Sequence, residues 1–191
     1  MRDDDEETDI TPLLLTLLAS VAAYWFFRTP AGQETREYIM GNLTFLRRAG
    51  GYLPLIQQIE KQNGIPQNLL VRLLDQESKF RPEVIDGTVR SRTGAIGIAQ
   101  VLPSTAGAPG YSVPRLVNPR DPSEAIPWAG KYLRAMYDRA GSWPKALAAY
   151  NQGLGTVLNA AKSAGANWLK AVPAEGRNYV ASITSDVPVL V

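Results

Sequence analysis

Two hydrophobic rhythms divide the chain. Residues 10–27, ITPLLLTLLASVAAYWFF, run for eighteen positions without a charge. As a helix this stretch would be roughly 27 Å long, close to the hydrocarbon thickness of a bilayer. Thr11 and Pro12 suit a helix cap and first turn. The aromatic run before Arg28 suits a membrane–water interface. A cleaved export signal begins with basic residues, whereas this chain begins with acids. The pattern therefore predicts one transmembrane helix over 10–28, behind an acidic tail at 1–9.

Residues 29–51 are polar and hold Gly32, Gly41, Gly50 and Gly51, which predicts a linker with a short helix. From Tyr52 onwards apolar residues recur at intervals of three and four. The segments YLPLIQQIEKQNG and IPQNLLVRLLDQES predict two helices, with Pro66 in the first turn of the second. Residues 81–124 are rich in Gly, Pro, Ser and Thr and predict loop, with a short helix at 97–107. EAIPWAGKYLRAMYDRAG, SWPKALAAYNQG, GTVLNAAKSAG and GRNYVASIT return to helical spacing. No stretch alternates as a strand, and no internal repeat is present. Residues 52–191 are thus expected to form an all-α domain.

Composition narrows the chemistry. The 191 residues include no cysteine and no histidine. Disulfides, thiol catalysis and Ser-His-Asp triads are excluded, and the commonest zinc ligands are missing. Neither a metal nor a cofactor is expected, so catalysis falls to carboxylates, hydroxyls, amides, Tyr or Lys. The net charge of +2 hides an asymmetry: residues 1–9 hold six acids and one Arg, and the remainder holds 19 basic and 12 acidic side chains. A mildly basic body suits a polyanion such as a bacterial cell wall. No dense Lys/Arg run supports nucleic-acid binding.

One acid stands where the helical pattern does not want it. In LLVRLLDQESKF, residues 69–80, Leu69, Leu70, Leu73 and Leu74 form an apolar stripe. Glu77 follows Leu73 by four and Leu74 by three, on the same face. Burial there would raise its pKa and keep it protonated near neutral pH, as a general acid requires. The competing reading is a helix-ending acid that reaches solvent. Asp75 projects away from the stripe and reads as a surface acid.

Further segments stand in order beyond it: SRTGAIGIAQVLPSTA at 91–106, ALAAYNQGLGTV at 146–157 and EGRNYV at 175–180, with DPSEAIPWAGKYLRAMYDRAG between. With ESKF at 77–80, they resemble the lysozyme-like lytic transglycosylases of the soluble-transglycosylase (SLT, goose-lysozyme-related) family over about residues 53–185. The resemblance implies a lysozyme-like fold and one catalytic carboxylate, Glu77. By the same resemblance Ser78 would help seat Glu77, Ser91 would lie near an acetamido group, and Gly94 and Gly97 would let backbone approach sugar. Gln100 would hydrogen-bond the glycan, and Tyr150 and Asn151 would line the cleft, Tyr150 with its hydroxyl towards Glu77. Tyr179 would close the opposite wall. The chain departs from the family at Ala99, where methionine is usual, and in a longer connection around EVIDGTVR. Asp86 in that connection reads as an Asp-Gly turn with Gly87; as a second catalytic acid it would favour inverting hydrolysis.

The resulting expectation is a single-pass, membrane-anchored enzyme. It would cleave the β-1,4 bond between N-acetylmuramic acid and N-acetylglucosamine with 1,6-anhydro ring formation. The expected partners are peptidoglycan glycan strands, a lipid bilayer through residues 10–28, and other virion or secretion-complex proteins. The favoured setting is a virion membrane or the apparatus by which a phage enters its host, with a bacterial inner membrane facing the wall as the alternative. Two rival readings stay open. One is a goose-type lysozyme hydrolysing the same bond, and the other is a wall-docking component of a secretion or ejection channel.

Overall fold

The computed structural model describes residues 11–185. The expected acidic tail, Ile10 and the last six residues lie outside them. The chain divides into two units, Met1–Thr44 and Phe45–Val191.

In the first unit, helix α1 (Thr11–Arg28) ends at Thr29, and helix α2 (Pro30–Ala49) begins at Pro30. Thr29 makes the corner. Its hydroxyl donates to the Trp25 carbonyl at 2.8 Å and accepts the Gly32 amide at 3.0 Å, as a helix N-cap does. Leu17, Leu18, Val21, Tyr24, Trp25 and Phe27 of α1 are exposed. The expected helix is present, but among the described residues no helix is long and apolar enough to cross a membrane. The span expected at 10–28 therefore rests on the sequence pattern alone.

The expected linker at 29–51 is mostly helix. Glycines spread along the segment suggested loop, yet α2 runs for 20 residues. Its last turn belongs to the second unit, where Phe45 and Ala49 are buried and the Arg72 guanidinium lies 4.5 Å over the Phe45 ring. That unit accordingly starts at Phe45, ahead of the expected 52.

Among its described residues the second unit is helical apart from one isolated bridge, Ile96 to Val101. After a 3₁₀ turn come α3 (Leu53–Gln62), α4 (Leu69–Ser78) and the short α5 (Pro82–Ile85). Then follow α6 (Pro103–Gly107), α7 (Pro122–Ala140), α8 (Trp143–Gln152), α9 (Leu154–Ala164), α10 (Trp168–Ala171) and α11 (Ala174–Thr184). α3 packs on α4 and α7, α8 on α7, α9 and α11, and α11 returns to α4. Leu70, Leu73 and Leu74 of α4 meet Ile126, Leu133, Met136, Leu147 and Ile183 in one core. Two boundaries differ from expectation. Pro66 precedes α4 rather than opening it, because Asn68 is left-handed (φ 67°) and the helix starts at Leu69. The short helix expected at 97–107 is confined to α6, since 96–101 closes a turn through its bridge.

Helix α4 is fastened at both ends. Glu60 of α3 is buried, and its carboxylate accepts the amides of Asn68, Leu70 and Val71 at 3.0, 2.9 and 3.3 Å. Those donors have no partner within the helix, and a negative charge there also suits the helix dipole. At the other end Asp75 takes a two-pronged bond from Arg48, both contacts 2.6 Å, with Lys79 at 3.3 Å. Asp75 is therefore a buried, paired acid rather than the expected surface one. Substituting Glu60→Ala strands three amide donors and is expected to cost about 2–3 kcal/mol. Urea denaturation should show a lower midpoint with an unchanged slope.

Candidate active site

Glu77 lies in the last turn of α4. The chain leaves the helix through two successive left-handed residues, Lys79 (φ 51°) and Phe80 (φ 53°). A carboxylate at a helix C-terminus faces the negative end of the dipole. Around it α11 contributes Glu175 and Tyr179, α8 Tyr150 and Asn151, α7 Trp128 and Tyr132, and the 91–101 loop Ser91 and Gln100. These residues enclose two cavities that meet at one place. The larger, about 590 Å³, is walled by Trp128, Tyr132 and Tyr150. The smaller, about 450 Å³, is lined by Gln76, Asn178, Tyr179 and Ser182. Glu77, Asn151 and Glu175 line both.

Burial pushes the Glu77 carboxyl from its ordinary value near 4.5 up to about 7. The hydrogen bond from Tyr179 opposes this, the negative charge of Glu175 adds to it, and Lys79 offsets a little. The Tyr179 hydroxyl donates to Glu77 Oε1 at 2.5 Å. Burial and then the Glu77 charge hold the phenols of Tyr150 and Tyr179 well above the usual tyrosine range. Both therefore stay donors. Among the described residues no cluster of three or more acidic side chains is placed to hold a metal.

The structure brings Glu77, Ser91, Gln100, Tyr150 and Asn151 around the larger cavity, with Tyr179 on the smaller. The hydroxyl expected on Glu77 from Tyr150 comes instead from Tyr179. Tyr150 donates to the Ala99 carbonyl at 3.1 Å, and the hydroxyl bonded to Glu77 is that of Tyr179. Ser91 accepts the Ala95 amide at 2.8 Å and so shapes its own loop as well as facing the cleft. Gln100 has one amide proton on the Gly97 carbonyl at 2.9 Å. Asn151 accepts from Gln152 at 2.6 Å.

Three residues expected at the site, Ser78, Gly94 and Gly97, line neither cavity. Ser78 is buried, its hydroxyl donating to Leu74 and accepting the Phe80 amide, which terminates α4. Gly97 faces protein: a Cβ there would stand 1.8 Å from the Pro119 carbonyl oxygen, and its φ of 81° is left-handed. Asp86 also lies outside both cavities and accepts the Thr88 amide at 2.8 Å in a local turn. Conversely, Glu175, Trp128 and Tyr132 were not singled out from the sequence. Glu175 stands four residues before Tyr179, and Trp128 four before Tyr132, so helical spacing placed each on a shared face.

Residues 54–171 match the transglycosylase SLT domain. The chain belongs to that family. It is similar to proteins named membrane-bound lytic murein transglycosylase C. One, from Glaesserella parasuis, is 32% identical over 58% of this chain and 33% of the relative. Another, from Haemophilus influenzae, is 31% identical over 58% of this chain and 34% of the relative. The chain thus spans about a third of the length of these curated relatives. Among solved structures it is similar to the lytic transglycosylase Slt of Pseudomonas aeruginosa, crystallised as an inactive Glu-to-Gln mutant. That likeness has a TM-score of 0.55 at 25% identity, over 78% of this chain and 23% of the other. The 70 kDa soluble lytic transglycosylase of Escherichia coli shares the fold, with a TM-score of 0.59 at 23% identity over 93% of this chain and 33% of that one. The SLT match ends before α11, so Glu175 and Tyr179 lie beyond it.

Because Tyr179 stabilises the charged form of Glu77, Tyr179→Phe is expected to raise the carboxyl's titration by roughly one pH unit. Tyr150→Phe, which loses a bond to a backbone carbonyl instead, is expected to move it less. Carbon-13 NMR of glutamate-labelled protein reads both shifts directly.

Proposed function

We propose that this SLT domain is a peptidoglycan lytic transglycosylase in which Glu77 serves first as acid and then as base. The carrying observation is the position of Glu77 where the two cavities meet, with its carboxyl pushed to about 7. A group with that pKa populates both protonation states at neutral pH, as consecutive proton donation and acceptance require. Protonated Glu77 gives its proton to the glycosidic oxygen between N-acetylmuramic acid and N-acetylglucosamine. The C1–O bond breaks, and the 2-acetamido oxygen stabilises the cationic C1. Glu77, now a carboxylate, removes the proton from the C6 hydroxyl, whose oxygen bonds to C1 and closes the 1,6-anhydro ring. No water is consumed. Tyr179, bonded to Glu77 Oε1, steadies the carboxylate between the steps.

The names of the relatives, all lytic transglycosylases, support this reading. The exposed apolar side chains of α1 and the membrane-bound names of two relatives support attachment to a lipid bilayer through residues 10–28. The proposed setting is local opening of the wall as a phage enters its host or as a secretion apparatus is assembled. A small wall-cutting domain behind one apolar helix is suited to it.

One observation favours a second reading, hydrolysis as in a goose-type lysozyme. Glu175 is a second carboxylate lining both cavities, and paired carboxylates are how water is activated against a glycosidic bond. Mass spectrometry of digested muropeptides separates the two, because the anhydro product is lighter by one water. A product with a free reducing end would overturn the transglycosylase reading.

Glu77→Gln is expected to lower turnover at least about 10²-fold. The same substitution has an opposite effect on stability. Since the folded pKa lies above the ordinary one, wild type loses stability as pH rises from near 4.5 through about 7. The amide escapes that loss, so Glu77→Gln should melt higher than wild type at pH 8, with the gap closing in acid. Wild-type activity should itself fall as pH rises through about 7, when the acid form is depleted.

A further inference from the structure

The loop from Ala108 to Arg115 is held in an expensive conformation. Gly110, Tyr111 and Ser112 are consecutively left-handed, with φ of 71°, 56° and 61°. For glycine this is free, whereas for Tyr and Ser it costs on the order of 1–2 kcal/mol each. The turn is closed by the Val113 amide on the Gly110 carbonyl at 2.9 Å. It is tied down by Trp128 Nε1 donating to the Pro114 carbonyl at 2.9 Å, and by the Leu116 amide on the Ala106 carbonyl at 2.9 Å. The residue at its tip does not enter the core: Tyr111 is 39% exposed. A strained turn that displays a large ring instead of burying it points to a role for the ring.

That ring continues the aromatic wall of the cleft. Tyr150 and Tyr132 meet edge to face at 5.6 Å, Trp128 stacks on Tyr132 at 4.8 Å, and Tyr111 follows at 6.4 Å from Tyr132. The first three line the larger cavity, and Tyr111 does not, so the row runs from the cleft to beyond it. The Arg139 guanidinium lies 4.8 Å over the Tyr111 ring and secures it. Pyranose rings present C–H faces that pack on aromatic rings, and a polymeric glycan has further sugars to place outside the cavity.

We infer that Tyr111, held by the strained 108–115 turn against Tyr132 of the Trp128–Tyr132–Tyr150 cluster, forms a distal sugar subsite that grips long glycan strands outside the cleft. The inference rests on reading the cleft as a glycan site. It adds that affinity grows with strand length through one named ring.

The test is binding rather than turnover, in the full chain carrying Glu77→Gln so that strands stay intact. Peptide-free glycan strands, long ones against tetrasaccharides, are titrated calorimetrically. Tyr111→Asn is the informative variant, because Asn accepts left-handed φ and keeps the turn while removing the ring. It should weaken long-strand binding roughly five- to tenfold, the size of an aromatic stacking contact, and move the tetrasaccharide Kd less than twofold. Tyr111→Phe, which keeps the ring, should bind long strands as the parent does. An unchanged long-strand Kd in Tyr111→Asn would overturn the subsite. So would equal weakening for both lengths, or a parent that binds long strands no better than short ones. Anhydro product from the unsubstituted chain is scored separately, so failure of the proposed reaction and failure of the subsite are distinguishable.

Discussion

A carboxyl group kept short of water at the end of a helix sets the terms for the rest of this domain. Glu77 is held up to about 7 by burial, and the dipole of α4 presents its negative end to the same place. Such a site opposes folding, so the surrounding structure must hold it. α4 is secured at its start by Glu60 and near its end by Asp75, which is paired with Arg48 and Lys79. Tyr179 then crosses from α11 with the hydrogen bond that makes the charged state tolerable. Gly176 of α11 permits that crossing. A Cβ there would stand 2.6 Å from the Gln152 side chain and 2.8 Å from Val172.

The cleft that results is chemically two-sided. Aromatic side chains of α7 and α8 face the larger cavity, and amides and hydroxyls of α4 and α11 face the smaller. Rings pack against sugar faces, whereas amides exchange hydrogen bonds with hydroxyl and acetamido groups. The acid stands between the two linings. Asn151 and Glu175 border both sides, so they feel whatever occupies either one.

Periodicity carried the helices of the second unit well, because each buries one apolar stripe in a common core. It failed at 29–51, where glycines masked a helix whose last turn packs through Phe45 and Ala49. It also misplaced Asp75, whose partner Arg48 is 27 residues away and invisible to local spacing. Within the cleft, Glu77 was singled out by its stripe, which alone left a helix-ending acid that reaches solvent as an open reading. The remaining assignments came by resemblance, which gives a position along the chain but not the direction of a side chain. Hence the bond to Glu77 expected of Tyr150 is made by Tyr179, Ser78 turned inwards to end its helix, and Gly97 proved to meet the Pro119 backbone. Glu175 could have been found by asking which residue shares a helical face with Tyr179.

The chain contains no histidine, and Glu77 is the described side chain held near neutrality. On the proposed function, a strand settling into the cleft would displace water from that carboxyl and so favour its neutral form. Near pH 7 the complex would then draw a proton from the surrounding buffer as it forms. The heat of association then includes the buffer's own enthalpy of ionisation, and comparing buffers of different ionisation enthalpy counts that proton. Occupancy of the cleft by a ligand that is not cleaved would then be measurable as proton uptake, with no label.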